Sequence, residues 1–209
     1  MRKMTVLLAA FLAVLALQAG ATVITNIPPS ARITMPVMNY FGPGPIVFGN
    51  YTWSSTNVSN QGGSVFGYTG GYGYLGNGFW DGTLGPMAGL NDSFDAWGVQ
   101  DTMTFAFTTS VLEVGGFFNY VPNGTMPTTI AVYDTSFNLI ESYNLTFVVG
   151  TGVNLGQWLG FQETTPIGYF TMTGNYIGVV NPIPEPGSLL LLGSGVLGLA
   201  GVIRRKLRF

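Results

Sequence analysis

Hydrophobic and polar positions alternate through the middle of this chain and run together without interruption only near its two ends. Met103, Phe105 and Phe107 are separated by Thr104 and Ala106 and flanked by Thr102 and Thr108; Tyr143, Leu145 and Phe147 are separated by Asn144 and Thr146. A period of two puts one set of side chains on each face of a pleated strand. No interior stretch sustains a 3.6-residue apolar repeat, while aromatic and β-branched residues recur in short runs punctuated by Gly and Pro. That is the composition of strands and turns. The pattern predicts strands over 46–53, 64–69, 102–108, 112–121, 128–134, 140–149, 157–162, 167–173 and 176–181. Between the fifth and sixth, Thr135-Ser136-Phe137-Asn138 supplies turn residues that hydrogen-bond their own backbone, so the two should form a hairpin. Antiparallel links at this spacing, with no helix for a parallel crossover, predict an all-β ectodomain over residues 22–181. The expected architecture is a two-sheet β-sandwich or jelly roll.

The two apolar runs have different grammars. Arg2 and Lys3 precede an apolar stretch from Val6 to Leu17, and Ala19-Gly20-Ala21 forms a small-residue cleavage site, so residues 1–21 read as a signal peptide. At the other end, Pro184 and Pro186 resist α conformation and are followed by an uncharged Leu/Gly-rich span over about 188–203. Arg204, Arg205, Lys206 and Arg208 then form a basic stop, which is retained on the cytoplasmic side and leaves the body outside. Sixteen residues make roughly 24 Å of helix against a hydrocarbon core of about 30 Å. This short transmembrane helix suits a processing signal better than a permanent anchor.

Charge separates the body from its ends. Between residues 22 and 183 the only basic residue is Arg32, against eight acidic ones, giving a net charge of −7 where the whole chain sums to −2. Such a surface cannot neutralise phosphates, so no nucleic-acid partner is expected. Cys and His are both absent. Their absence removes Ser-His-Asp and Cys-His nucleophile systems and the common zinc and copper sites. What remains is a Thr-, Ser-, Asn- and Gly-rich polar surface suited to a neutral glycan or other matrix material.

Three groups of residues carry the remaining candidate chemistry. The window Gly62–Gly89 holds 11 glycines interleaved with Tyr72, Tyr74, Trp80 and other aromatics. Either these rings pack beneath a long loop, or Tyr72, Tyr74 and Trp80 form an exposed platform that stacks on sugar rings. Asn91-Asp92-Ser93-Phe94-Asp95 is the densest run of oxygen ligands. Asp92 and Asp95 are the candidates for a structural calcium, against the plainer reading of loop caps; no other cofactor is expected. The body glutamates Glu113, Glu141 and Glu163 fall on separate predicted strands or strand ends, within no hydrolase motif.

Pro184-Glu185-Pro186, the adjacent Gly187-Ser188, the Leu/Gly-rich span and the terminal Arg cluster together resemble the PEP-CTERM sorting signal of Gram-negative bacteria. The resemblance covers residues 184–209, and residues 182–209 form the sorting region. It implies an inner-membrane precursor handled by an exosortase-type processing enzyme, then passage to the cell envelope or outside. It also implies an association with exopolysaccharide and biofilm. The resulting expectation is a non-enzymatic structural or carbohydrate-binding protein, with a secreted carbohydrate-active hydrolase as the alternative.

Overall fold

The structure is a computed structural model that describes residues 22–24, 35–91, 100–122, 124 and 126–185. Described regular structure is almost entirely β. In chain order the strands are β1 (Thr22–Ile24), β2 (Tyr40–Phe41), β3 (Ile46–Phe48), β4 (Tyr51–Ser55), β5 (Ser64–Tyr68), β6 (Tyr72–Gly73), β7 (Phe79–Trp80), β8 (Met87–Asn91), β9 (Asp101–Tyr120), β10 (Thr129–Asp134), β11 (Leu139–Asn144), β12 (Gln157–Gly174) and β13 (Tyr176–Glu185). A single 3-10 turn, Leu75–Asn77, lies between β6 and β7. The leader (1–21), the span over about 188–203 and the basic tail lie outside the described residues.

Two long strands organise everything else. The predicted segments 102–108 and 112–121 are one strand of 20 residues, β9, and 157–162 with 167–173 are one strand of 18 residues, β12. They pair antiparallel at both ends, 157–162 with 113–118 and 169–174 with 101–106, joined by the single pair Ile167–Val111 across register shifts between Gln162 and Tyr169. Solvent-facing polar residues, Thr109 and Ser110 on β9 and Thr164 and Thr165 on β12, fall in the gaps between the predicted strands. They mark a sharp crease instead. Phe161 and Phe170 lie nine residues apart, about 30 Å along a straight strand, yet their ring centroids are 6.1 Å apart.

The crease divides one large antiparallel sheet into two wings. One wing runs β3-β4-β9-β12-β10-β11, using the start of β9 and the end of β12; the other runs β1-β12-β9-β13-β8-β5-β2 on their opposite halves. The wings face each other across a shared apolar core. Trp53 of β4 packs on Phe66 of β5 at 5.2 Å, and Phe118 of β9 meets Phe170 of β12 at 5.9 Å. The sequence pattern predicts an all-β, two-sheet sandwich or jelly roll, and the all-β class holds. The described residues instead form one folded sheet plus a two-stranded ribbon, β6-β7.

The predicted hairpin is present as β10 and β11, although β11 stops at Asn144 rather than continuing to residue 149. Its turn is held by Asp134, whose Oδ1 accepts from the Ser136 and Asn138 amides at 2.8 and 2.9 Å. On the second wing both sheet faces are covered. Phe66, Ala88 and Val179 point into the main core, while their neighbours Val65, Met87 and Val180 point outward. There they meet Tyr72, Tyr74 and Trp80 from the Gly-rich segment, which folds back over the sheet. Every residue of β8 is consequently buried.

Candidate functional site

The sorting residues are reached through β13. From Tyr176 to Val180 this strand lies between β8 and β9, its pairing with β8 ending at Val180 opposite Met87. After a register shift between Val180 and Ile183, it continues along β9 alone: Ile183 is opposite Gly115, Pro184 opposite Val114 and Glu185 opposite Glu113. Proline has no N–H to give a second neighbour, so it is tolerated on an edge of this kind. Two residues of the Pro184-Glu185-Pro186 motif therefore belong to the sheet, whereas Pro186, Arg204, Arg205, Lys206 and Arg208 lie outside the described residues.

The other end of the body lies in the same row of the sheet. Thr22 is opposite Gln162, Gln162 opposite Glu113, and Glu113 opposite Glu185. β1 starts at this row and β13 ends at it, so the first and last described residues lie at one end of one wing. Three interstrand spacings separate β1 from β13, about 14 Å. The Gln162 amide Nε2 donates to Glu113 Oε1 across the middle of the row. Among the described residues no helix is long and apolar enough to cross a membrane.

Beside this row the crease holds a carboxyl pair that sequence spacing did not reveal. Glu163 is buried, and its pKa is pushed up to about 7, first by burial and then by the neighbouring Glu141 carboxylate and a hydrogen bond between the two side chains. The two glutamates lie on β11 and β12, which have β10 between them in the sheet. Glu113 is engaged with Gln162 instead. The two side chains are in contact, closer than the ~5–10 Å separation that glycoside hydrolysis uses.

Tyr72, Tyr74 and Trp80 do not form an exposed platform. They are only 7, 2 and 1 % exposed, stacked against the outer face of the second wing. Tyr72 packs on Tyr176 at 4.9 Å, and the Tyr74 hydroxyl meets Met87 Sδ at 3.7 Å. Burial pushes the Tyr74 phenol well above its ordinary pKa. Gly178 makes this packing feasible, because a Cβ there would lie 1.9 Å from the Tyr74 hydroxyl. Stacking area and sugar-binding area look alike in sequence, and here the sheet has taken it.

Asp92 and Asp95 lie outside the described residues. Other acids of the body have local tasks: Asp81 Oδ1 accepts from Thr83 Oγ1 at 2.6 Å, and Asp101 Oδ1 accepts from Thr56 Oγ1 at 2.6 Å. Among the described residues there is no group of three or more His, Cys, Asp or Glu placed to hold a metal ion.

A buried polar knot was also invisible to pattern reading. Asn77 donates through Nδ2 to the Tyr120 and Phe147 carbonyls at 3.1 and 3.4 Å, and its Oδ1 accepts from the Val149 amide at 3.2 Å. Its own carbonyl accepts from Asn119 and Asn154 at 2.9 and 3.1 Å. The knot ties the Gly-rich segment to the end of β9 and to the 145–156 connection. Next to it, Tyr120, Pro122, Met126, Pro127 and Leu145 line an open cavity of about 270 Å³ with no charged side chain in its lining.

No curated protein and no solved structure matches this chain. The C-terminal region does match, and its position agrees with the docked end of β13: residues 182–206 carry the PEP-CTERM protein-sorting motif, which marks this chain as an exosortase-sorted, exported protein.

Proposed function

We propose that the exported body is a non-enzymatic structural protein of the cell envelope or extracellular matrix, associated with exopolysaccharide and held in the inner membrane by its C-terminal span until processing. The observation that carries this reading is the sorting motif following directly on an all-β body. The body's composition supports it. With one basic residue and a Thr-, Ser-, Asn- and Gly-rich surface, it has little means of holding polyanions and many hydroxyls and amides for neutral sugars. The folded sheet serves as a sandwich-like ectodomain whose first and last described residues, Thr22 and Glu185, lie in one row.

Carbohydrate binding is the second reading, favoured by the uncharged cavity beside Tyr120, Pro122 and Met126 rather than by the buried rings of the Gly-rich segment. At about 270 Å³ it is close to the lower bound of ligand pockets, ~300–1,000 Å³. A structural calcium at Asp92 and Asp95 belongs to the same proposal. The hydrolase alternative draws no support from the Glu141–Glu163 contact, which is too close for the usual carboxyl pair. The test is retention of the purified protein on the host's own exopolysaccharide, with and without chelator. Retention supports the matrix role, and its loss on chelation supports the calcium. Passage through the column in both conditions removes the glycan association and leaves a self-assembling envelope protein.

A further inference from the structure

We propose that the folded body controls its own processing, by storing the first two residues of the sorting motif in the sheet as the last register pairs between β13 and β9. The inference rests on the sorting reading and concerns how the motif becomes available. A processing enzyme that works on the motif needs that backbone in its own cleft, and an extended peptide is usually gripped through the same N–H and C=O groups that a sheet edge uses. Residues 183–185 cannot satisfy β9 and the enzyme at once.

The docked segment is built to open locally. It is set off from the rest of β13 by the register shift between Val180 and Ile183. Beyond Val180 it has β9 on one side and no further pairing with β8. Peeling therefore costs only the last few contacts and leaves the pairing of Tyr176–Val180 with β8 and β9 in place. Each net backbone hydrogen bond broken corresponds to a factor of roughly 2 to 10 in the open population. A chain whose sheet has not formed presents the motif freely; a folded one presents it only in that open fraction.

The same geometry puts the event at the membrane. Only Pro186 and Gly187 separate the docked strand from the span that begins near Ser188. Thr22, where the leader ends, stands in the same row as Glu185. The first and last described residues thus stand in one row of the sheet, and the sequence leaves only two residues between the docked pair and the span.

The test is a pulse-chase of the full chain in its host, following loss of the C-terminal tail. One variant carries Gly-Ser-Gly-Ser inserted between Ile183 and Pro184, which moves the motif off the sheet while keeping its spacing to the span. Faster processing of this variant, by about tenfold for one or two net hydrogen bonds released, is the expected result. Equal rates for the variant and the unmodified chain overturn the gate while leaving the sorting reading intact. A precursor that keeps its tail in both forms removes the sorting reading and the gate together. Hydrogen exchange on the full-length precursor in detergent gives a second measure. Slowed exchange at the Ile183 and Glu185 amides supports docking, and exchange at the unstructured rate overturns it.

Discussion

Replacing Glu163 by Gln tests the account of the crease quantitatively. In the folded chain the Glu163 carboxyl is buried against Glu141 and its pKa rises from 4.5 to about 7. The folded chain keeps this proton up to about pH 7, whereas the unfolded chain loses it near 4.5. The stabilisation from this group is therefore complete below the unfolded value and is lost as the pH rises through the folded one. At about 1.4 kcal/mol per unit the full shift has an upper bound of about 3.5 kcal/mol, and solvent reaching the exposed bulge beside it lowers this to about 1–3 kcal/mol. Gln is neutral at every pH and its amide can donate to Glu141. At 2–4 °C per kcal/mol for a domain of this size, Glu163→Gln should melt about 2–12 °C above the wild type at pH 8. At pH 4.5 the two should coincide. The assay is thermal unfolding of residues 22–185, which contain all the described strands, between pH 4.5 and 8. Glu141→Gln should flatten the wild-type slope only in part, because burial is the larger cause. Parallel Tm–pH curves for the wild type and Glu163→Gln would refute the reasoning.

Three further outcomes follow from the packing and hydrogen bonds. Asn77→Ala removes side-chain bonds to Tyr120, Phe147 and Val149 inside the fold and should cost about 2–4 kcal/mol in denaturant unfolding. Trp80→Ala empties a site that is 1 % exposed and should cost about 3–5 kcal/mol, with any loss of glycan retention tracking loss of folded protein rather than preceding it. Asp134→Ala should lower Tm at pH 7 by loosening the β10–β11 turn. Bonds from Asn138 and Ser136 hold this carboxyl below its ordinary pKa, so its contribution is present above the usual carboxylate range and fades as the pH falls through the lowered value. The gap between Asp134→Ala and wild type should therefore narrow in strong acid.

Local pattern and global path were legible to different degrees. Alternation in 102–108 located the start of β9 because one face meets the core and the other meets solvent or polar partners. β8 carries no such signal: Met87-Ala88-Gly89-Leu90-Asn91 is buried on both faces, since the Gly-rich segment covers what would otherwise be an outer surface. The crease was misread for a physical reason. Thr109–Ser110 and Glu163–Pro166 are polar as a loop would be, yet they stay within continuous strands whose pairing resumes on either side of the bend, with Ile167 opposite Val111 inside it. The Glu141–Glu163 contact depends on strand order and on a register shift, neither of which residue spacing encodes. The sorting end divides the same way. Its motif is readable from Pro184, Glu185 and the residues after them, whereas its incorporation into the sheet appears only in the pairing with β9.

The central claim is that this chain is exported as a membrane-held precursor and cut at the end of its sheet. The most direct measurement is the intact mass of the protein recovered from its native host, with both termini sequenced. The account predicts a chain that starts near Thr22 and ends upstream of the Leu-rich span. A mass that still includes Arg204 to Phe209 would contradict it.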